Sequence, residues 1–284
     1  MSRTVRKARG TAFILLAILA TSLGMVALAA LLLDVLRDGI GVLSLEFINS
    51  FPHYQAEKAG AKSALAGTLW VMSLTAVFAM VAGVGAAIYL EEFAVRNWFT
   101  RIVEININNL AGVPSVVYGL LGLAIFVYWM GLGRSVLAGA LTLALLILPI
   151  IVVAAREGLR SVPPTIREAA MALGSTRWQA VRFQVLPAAM PTILTGFILA
   201  LARAVGETAP LIAIGAFTTV LFVPTTPTDS FTVLPVQIYS WISKPLPEFR
   251  ENAAAGIIVL LVVLMLMNAV AITLRNIYSR RSRW

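Results

Sequence analysis

SVPPTIREAAMALGSTRWQAVRFQVLP, residues 161–187, is a charged connection between two apolar stretches, 136–155 and 189–213, each of a length that crosses a bilayer. Pro163 and Pro164 stop the preceding helix from continuing. Thr165 and Glu168 have the spacing of a capping box, and Ile166, Ala169, Ala170 and Leu173 fall at i, i+3, i+4 and i+7, one apolar stripe. Gly174 supplies a left-handed C-terminal cap. Ser175 caps a second helix, which presents Trp178, Val181 and Val185 beside Arg177 and Arg182 and ends at Pro187. The connection therefore reads as two short amphipathic helices. A helix of about ten residues is marginal alone in water, so its stripe needs cover: the lipid interface or a groove on a cytoplasmic protein.

The rest of the chain places that connection at a membrane face. Of 284 residues, 60% are hydrophobic and 12% charged, with a mean hydropathy of +0.90. A soluble domain carries about 25% charged residues, so this chain has too little polar surface for a globule in water. Six apolar stretches, 11–34, 64–90, 105–130, 136–155, 189–213 and 253–274, predict an all-α integral membrane protein of six transmembrane helices. Pro210, Gly215 and Pro224 predict that the fifth span kinks or ends near 213 and that the chain then dips back at the outer face. The uncharged run 11–33 exceeds the roughly 7–15 residues of a signal-peptide core, which predicts a retained first span.

Lys and Arg are distributed unevenly. Fifteen lie in the N-terminal tail, 91–104, 156–187 and the C-terminal tail, against six at the opposite ends (Arg37, Lys58, Lys62, Arg134, Lys244, Arg250). Both termini are therefore expected in the cytoplasm. The net charge of +9 flanks apolar spans, which is membrane patterning rather than a nucleic-acid footprint. Cysteine is absent and His53 is the lone histidine, so thiolate metal sites and histidine clusters are excluded. No Gly-Lys pair occurs, so there is no phosphate-cradling loop for ATP. An intramembrane hydrolase would need a nucleophile beside a base at depth, and none is spaced for it. A proton-coupled secondary transporter would account for buried charge but gives no reason for the 161–187 connection.

Arg203 and Glu207 stand inside the fifth span. An unpaired arginine at mid-membrane costs about 2.5–3.5 kcal/mol, and an i,i+4 pair returns only about 0.2–0.5 kcal/mol. Arg203 must therefore face protein or a wet cavity, either as a structural ion pair or as a contact for an oxyanion, with Glu207 holding it and moderating its grip. Thr192, Gly196, Ala200, Arg203 and Glu207 form a small, polar stripe that suits a subunit interface or a pathway lining. Asn109, Ser115 and Tyr118 are further pathway candidates, and Gly112, Ser115, Gly119 and Gly122 form a packing seam. Glu91 and Glu92 close the second span, and Arg156 and Glu157 anchor the fourth at the interface.

EAAMALG (168–174) followed by Leu186-Pro187 resembles the coupling loop of the permease subunits of ABC importers, with Gln184 where the general pattern has isoleucine. GAAIYLEEFA (85–94), LAGVPSVVYGLLG (110–122) and LARAVGETAPL (201–211) are similar to the PstA-type permeases of phosphate-specific importers. The resemblance implies the type I importer permease fold, with a tail at 1–10, a first helix and outer loop at 11–63, a core at 64–275 carrying the coupling loop 156–187, and a basic tail at 276–284. It implies that Glu168, Ala169, Ala170, Gly174, Leu186 and Pro187 engage a separate ATPase. It further implies a PstC-like second permease, two PstB-like ATPase subunits and a PstS-like extracytoplasmic phosphate-binding protein, in a prokaryotic inner membrane. No cofactor is expected on this chain itself; ATP and Mg enter through the ATPase. The imported solute would be inorganic phosphate or, as the alternative, phosphonate, sulfate or molybdate.

Overall fold

Among the described residues the chain is helical, and its one extended pairing is an isolated antiparallel bridge between Ser135 and Ser230. The computed structural model describes residues 3–95, 97–217 and 219–281, with side chains described at 13–95, 97–217 and 219–279. The basic side chains of Arg3, Arg6, Lys7, Arg9, Arg96, Arg280, Arg281 and Arg283 lie outside the described ones.

Helix α1 (Arg3–Gly39) takes in most of the residues read as a tail. It lies along the last helix, while its apolar side chains from 13 to 33 remain exposed. Helix α2 (Leu45–Asn49) is capped by Ser44, whose Oγ accepts from the Phe47 N–H at 3.1 Å. Helix α3 (Lys62–Ile88) continues into a π-turn, Tyr89–Phe93, so the second span is 32 residues, about 48 Å. The hydrocarbon core is about 30 Å thick, so α3 projects well beyond it.

The third span departs from expectation. It is not one helix over 105–130 but two, α4 (Trp98–Leu110) and α5 (Ser115–Gly122, prolonged by a π-turn to Trp129), bent by 110°. Pro114 supplies the reason: it has no N–H to donate and its ring drives Val113 out of helical geometry. Tight bonds from Gly112 N–H to Asn109 O (3.0 Å) and Val113 N–H to Leu110 O (3.1 Å) close α4 before the break.

Helix α6 (Val136–Arg160) is the centre of the bundle: its most apolar window is 67% buried, against 0% for α1. Leu143, Ile147, Ile151 and Leu159 are fully enclosed. The Thr75 hydroxyl donates to Ala140 O at 3.1 Å and Gly83 lets Ile151 approach, so α3 and α6 pack closely. Two short helices follow, α7 (Pro164–Ala172) and α8 (Arg177–Ala180).

Pro187 does not end the second of these. The chain passes from α8 through a π-turn, Val181–Val185, straight into α9 (Leu186–Val205), giving one 29-residue span. The wide turn precedes the proline and accommodates a ring that an unbroken α-helix would reject. At the other end α9 stops at Gly206, earlier than the expected 213, and Ala209–Ala213 form a separate helix, α10. Residues 219–233 then fold back over the start of α6, with Val136 N–H bonded to Asp229 O (3.0 Å) and Phe231 buried against Gly139. Helix α11 (Leu234–Ile242) and the long α12 (Glu248–Arg281) complete the chain. Among the described residues five helices are long and apolar enough to cross a membrane, and the bent α4–α5 pair makes the sixth candidate.

Candidate functional site

Two sites emerge, one at the α7–α8 connection and one where α9 breaks. Helix α7 starts at Pro164, one residue before Thr165. Thr165 is therefore already inside the first turn, and the expected Thr165–Glu168 capping box does not form, because an N-cap must stand outside helical geometry. The capping box belongs to α8: Gln179 N–H donates to Thr176 Oγ1 at 3.3 Å and Thr176 N–H to Gln179 Oε1 at 2.8 Å. The cap is Thr176 rather than Ser175. Ser175 N–H instead reaches back to Ala170 O (3.1 Å), with Gly174 N–H on Met171 O (2.9 Å) and Gly174 at φ +88°. That is a complete Schellman closure, as expected of Gly174.

The stripe on α7 is largely bare. Leu173 is 89% exposed, and Ile166, Ala169, Ala170 and Leu173 with Gln184 line an apolar recess of about 420 Å³. Glu168 is exposed beside it, and Leu186 and Pro187 lie where the second helix turns into α9.

At the far end of α9, Arg203 Nε meets Glu207 Oε1 at 3.3 Å, with the arginine side chain 47% exposed and the glutamate 17%. Helix α10, just past the break, packs on α5 through Gly119, where a Cβ would stand 2.7 Å from Pro210. Tyr118 is buried beside it and donates to Leu110 O at 2.7 Å. Arg203 and Glu207 are thus brought together, and Tyr118 lies on the helix that α10 packs against. Ser115 is half-buried in the first turn of α5, and Asn109 stands exposed on α4 across the bend. The small stripe is mostly spent inside the chain: Gly196 packs on Ala154 of α6 and Ala200 is fully buried.

Residues 79–284 match the family described as the binding-protein-dependent transport system inner membrane component. The chain belongs to that family. Among its relatives, the probable ABC transporter permease YqgI of Bacillus subtilis is 31% identical over 84% of this chain and 85% of its own. The phosphate transport system permease PstA of Yersinia pestis is 32% identical over 91% and 86%, and that of Haemophilus influenzae 31% over 93% and 92%. Solved structures share the fold. The permease of an alginate ABC importer aligns with a TM-score of 0.61 at 17% identity over 96% of this chain and 99% of its own. A methionine importer in an inward-facing form gives 0.60 at 19% over 75% and 94%.

In this permease the fold also gathers charges that sequence spacing did not connect. Arg156, read as an interfacial anchor, is 8% exposed and held between Glu104 (2.6 Å) and Glu91 (3.4 Å). Arg160 bonds Glu91 at 3.0 Å and Glu157 at 3.4 Å. Arg167 of α7 forks onto Glu92, whose side chain is 5% exposed. Losing one member of such a buried pair costs about 3–5 kcal/mol, whereas an exposed i,i+4 pair contributes about 0.2–0.5 kcal/mol. The sequence singled out Glu91-Glu92 and Arg156 separately, since the partners of the two carboxylates on α6 and α7 lie 65, 69 and 75 residues away.

Proposed function

We propose that this permease carries inorganic phosphate inward as one half of a membrane pore driven by a separate ATPase. The observation that carries the reading is the alignment with relatives named as phosphate permeases over about nine-tenths of both chains. Two structural features support it. The bare stripe of α7 offers Glu168, Ala169, Ala170 and Gly174, with Leu186 and Pro187 behind, to an ATPase that handles ATP and Mg. Arg203 stands at a helix break, and irregular backbone at membrane depth is tolerated only where it is buried in protein or lines a wet cavity. A guanidinium there fits phosphate oxygens in a forked geometry. A PstC-like permease, two PstB-like ATPase subunits and a PstS-like binding protein complete the assembly, with both termini cytoplasmic.

The test is uptake by that assembly in proteoliposomes, with phosphate competed by sulfate, molybdate or a phosphonate. Phosphate uptake untouched by the competitors is expected; preference for another oxyanion overturns the substrate. A hydrogen bond to a charged group contributes about 1.5–3 kcal/mol, so Arg203→Gln should lower phosphate uptake about ten- to hundredfold while the complex still assembles. Glu207→Gln should be milder, because the cation remains. If the double variant recovers transport that Arg203→Gln lost, the pair is a structural ion bridge and Arg203 leaves the pathway.

A further inference from the structure

Arg167 ties three elements with one side chain. Its Nη2 donates to Glu92 Oε1 at 2.6 Å and its Nε to both carboxylate oxygens at 3.0 and 3.2 Å. Nη2 also caps Leu159 O and Nη1 caps Val162 O, both at 2.8 Å, at the end of α6. Every nitrogen of the guanidinium is engaged, and Glu92 is shut away from solvent. The neighbours of Glu92 in the same π-turn reach two further elements. Glu91 bonds Arg156 and Arg160 of α6, and the Phe93 ring lies 6.3 Å from that of Trp178 and 5.3 Å from the Arg177 guanidinium. A π-turn widens the helix at that point. Three consecutive side chains thereby grip α6, α7 and the start of α8.

We propose that Glu92 and Arg167 are positioning residues for transport. They form the joint through which displacement of the ATPase-facing helix α7 is passed to the inner ends of α3 and α6. The inference rests on the reading of the α7 stripe as the ATPase dock. A guanidinium with every nitrogen engaged, on a carboxylate closed from water, does not act as a hinge; α7 moves as one body with the ends it is bound to. Lysine cannot replace the arginine, because a single ammonium cannot fork onto the carboxylate while reaching two carbonyls.

The test uses the complete importer in lipid nanodiscs and compares ATP hydrolysis with and without phosphate-loaded binding protein. With Arg167→Lys or Glu92→Gln, the ATPase should co-purify at the wild-type ratio, while the stimulated-to-basal ratio and phosphate uptake fall about tenfold or more. The chain has no cysteine, so Glu92→Cys with Arg167→Cys can be bridged by a short bis-maleimide. Bridging should restore stimulation by replacing the charged joint with a covalent one. Wild-type stimulation in both single variants overturns the proposal, as does loss of the ATPase in step with uptake that bridging does not repair. If the wild-type complex answers to another oxyanion, the phosphate reading fails, and the ratio taken with that anion still decides the joint. If Leu173→Asp leaves the ATPase bound, the docking reading itself fails.

Discussion

Gly174 is held at φ +88° with open space around the position of a Cβ, so a substitution there meets backbone strain and no collision. A non-glycine residue in this left-handed region costs about 1–2 kcal/mol. Gly174→Asp should therefore leave the protein inserted but loosen the end of α7, reducing ATPase stimulation in the reconstituted complex. Gly174→Asn should fall between the two, because asparagine tolerates the conformation. Full stimulation with Asp would falsify the docking role of this turn. Gly174 was legible in the sequence because a left-handed cap is a one-residue signature. Arg203 and Glu207 were legible because i,i+4 partners need no knowledge of the fold. The Thr165–Glu168 box was misread by one residue of helix boundary, since Pro164 takes the first helical position. Arg167 and Glu92 were each visible as charges, but only the packing of α3 beside α6 and α7 makes them a pair.

Among the elements, apolar length identified α3, α6, α9 and α12 because one hydropathy window suffices for each. It failed where the chain turns inside an apolar stretch: Pro114 splits the third span, Gly206 ends the fifth, and the π-turn at Val181–Val185 carries the helix on past Pro187. Hydropathy has no term for direction. The turn at 225–229 is ordered by polar bonds instead. Its Asp229 carboxylate accepts from the Thr226 hydroxyl (2.7 Å), the Thr226 and Thr225 N–H groups (2.9 and 2.8 Å) and the Thr225 hydroxyl (3.2 Å). These bonds, the Thr226 hydroxyl foremost, pull the Asp229 pKa from 3.8 to about 2. A carboxyl depressed on folding contributes stability that is whole above its unfolded pKa and is lost as pH falls through the folded one. Amide exchange at Thr225 and Thr226 should therefore stay flat from neutral pH down to about 4, after allowing for intrinsic rates, and rise as pH approaches about 2. Asp229→Asn should raise it at neutral pH, and an unaltered rate there would show that the carboxylate does not hold this turn.

For the whole molecule the decisive property is which end faces the cytoplasm, because the α7 stripe works only there. The fold sorts the loops poor in lysine and arginine to one end of α3 and α6. There Asn252 donates to Ala56 O (2.8 Å), Leu234 N–H to the Thr68 hydroxyl (2.9 Å), and Ser135 pairs with Ser230. The arginine-rich set gathers at the opposite end, where Arg156, Arg160 and Arg167 meet Glu91, Glu92 and Glu104. Positive residues are retained on the cytoplasmic side, so we propose this second end as the inner one. Reporter fusions after Arg101 and after Arg177 should accordingly report cytoplasm, and fusions near Lys58 and Ser230 the outside. The structure adds a constraint that charge counting lacks: Lys58 lies two residues from Ala56, and Ser230 itself forms the bridge to Ser135, so both probes must report the same side. A cytoplasmic signal at both would invert the molecule, put the α7 recess outside and end the ATPase reading with it. A cytoplasmic signal at Lys58 alone would contradict the bond between Ala56 and Asn252 and with it the placement of α1 as a crossing helix. Agreement of all four fusions would leave α7, its apolar stripe and the Glu92–Arg167 joint on the only side of the membrane where ATP is hydrolysed.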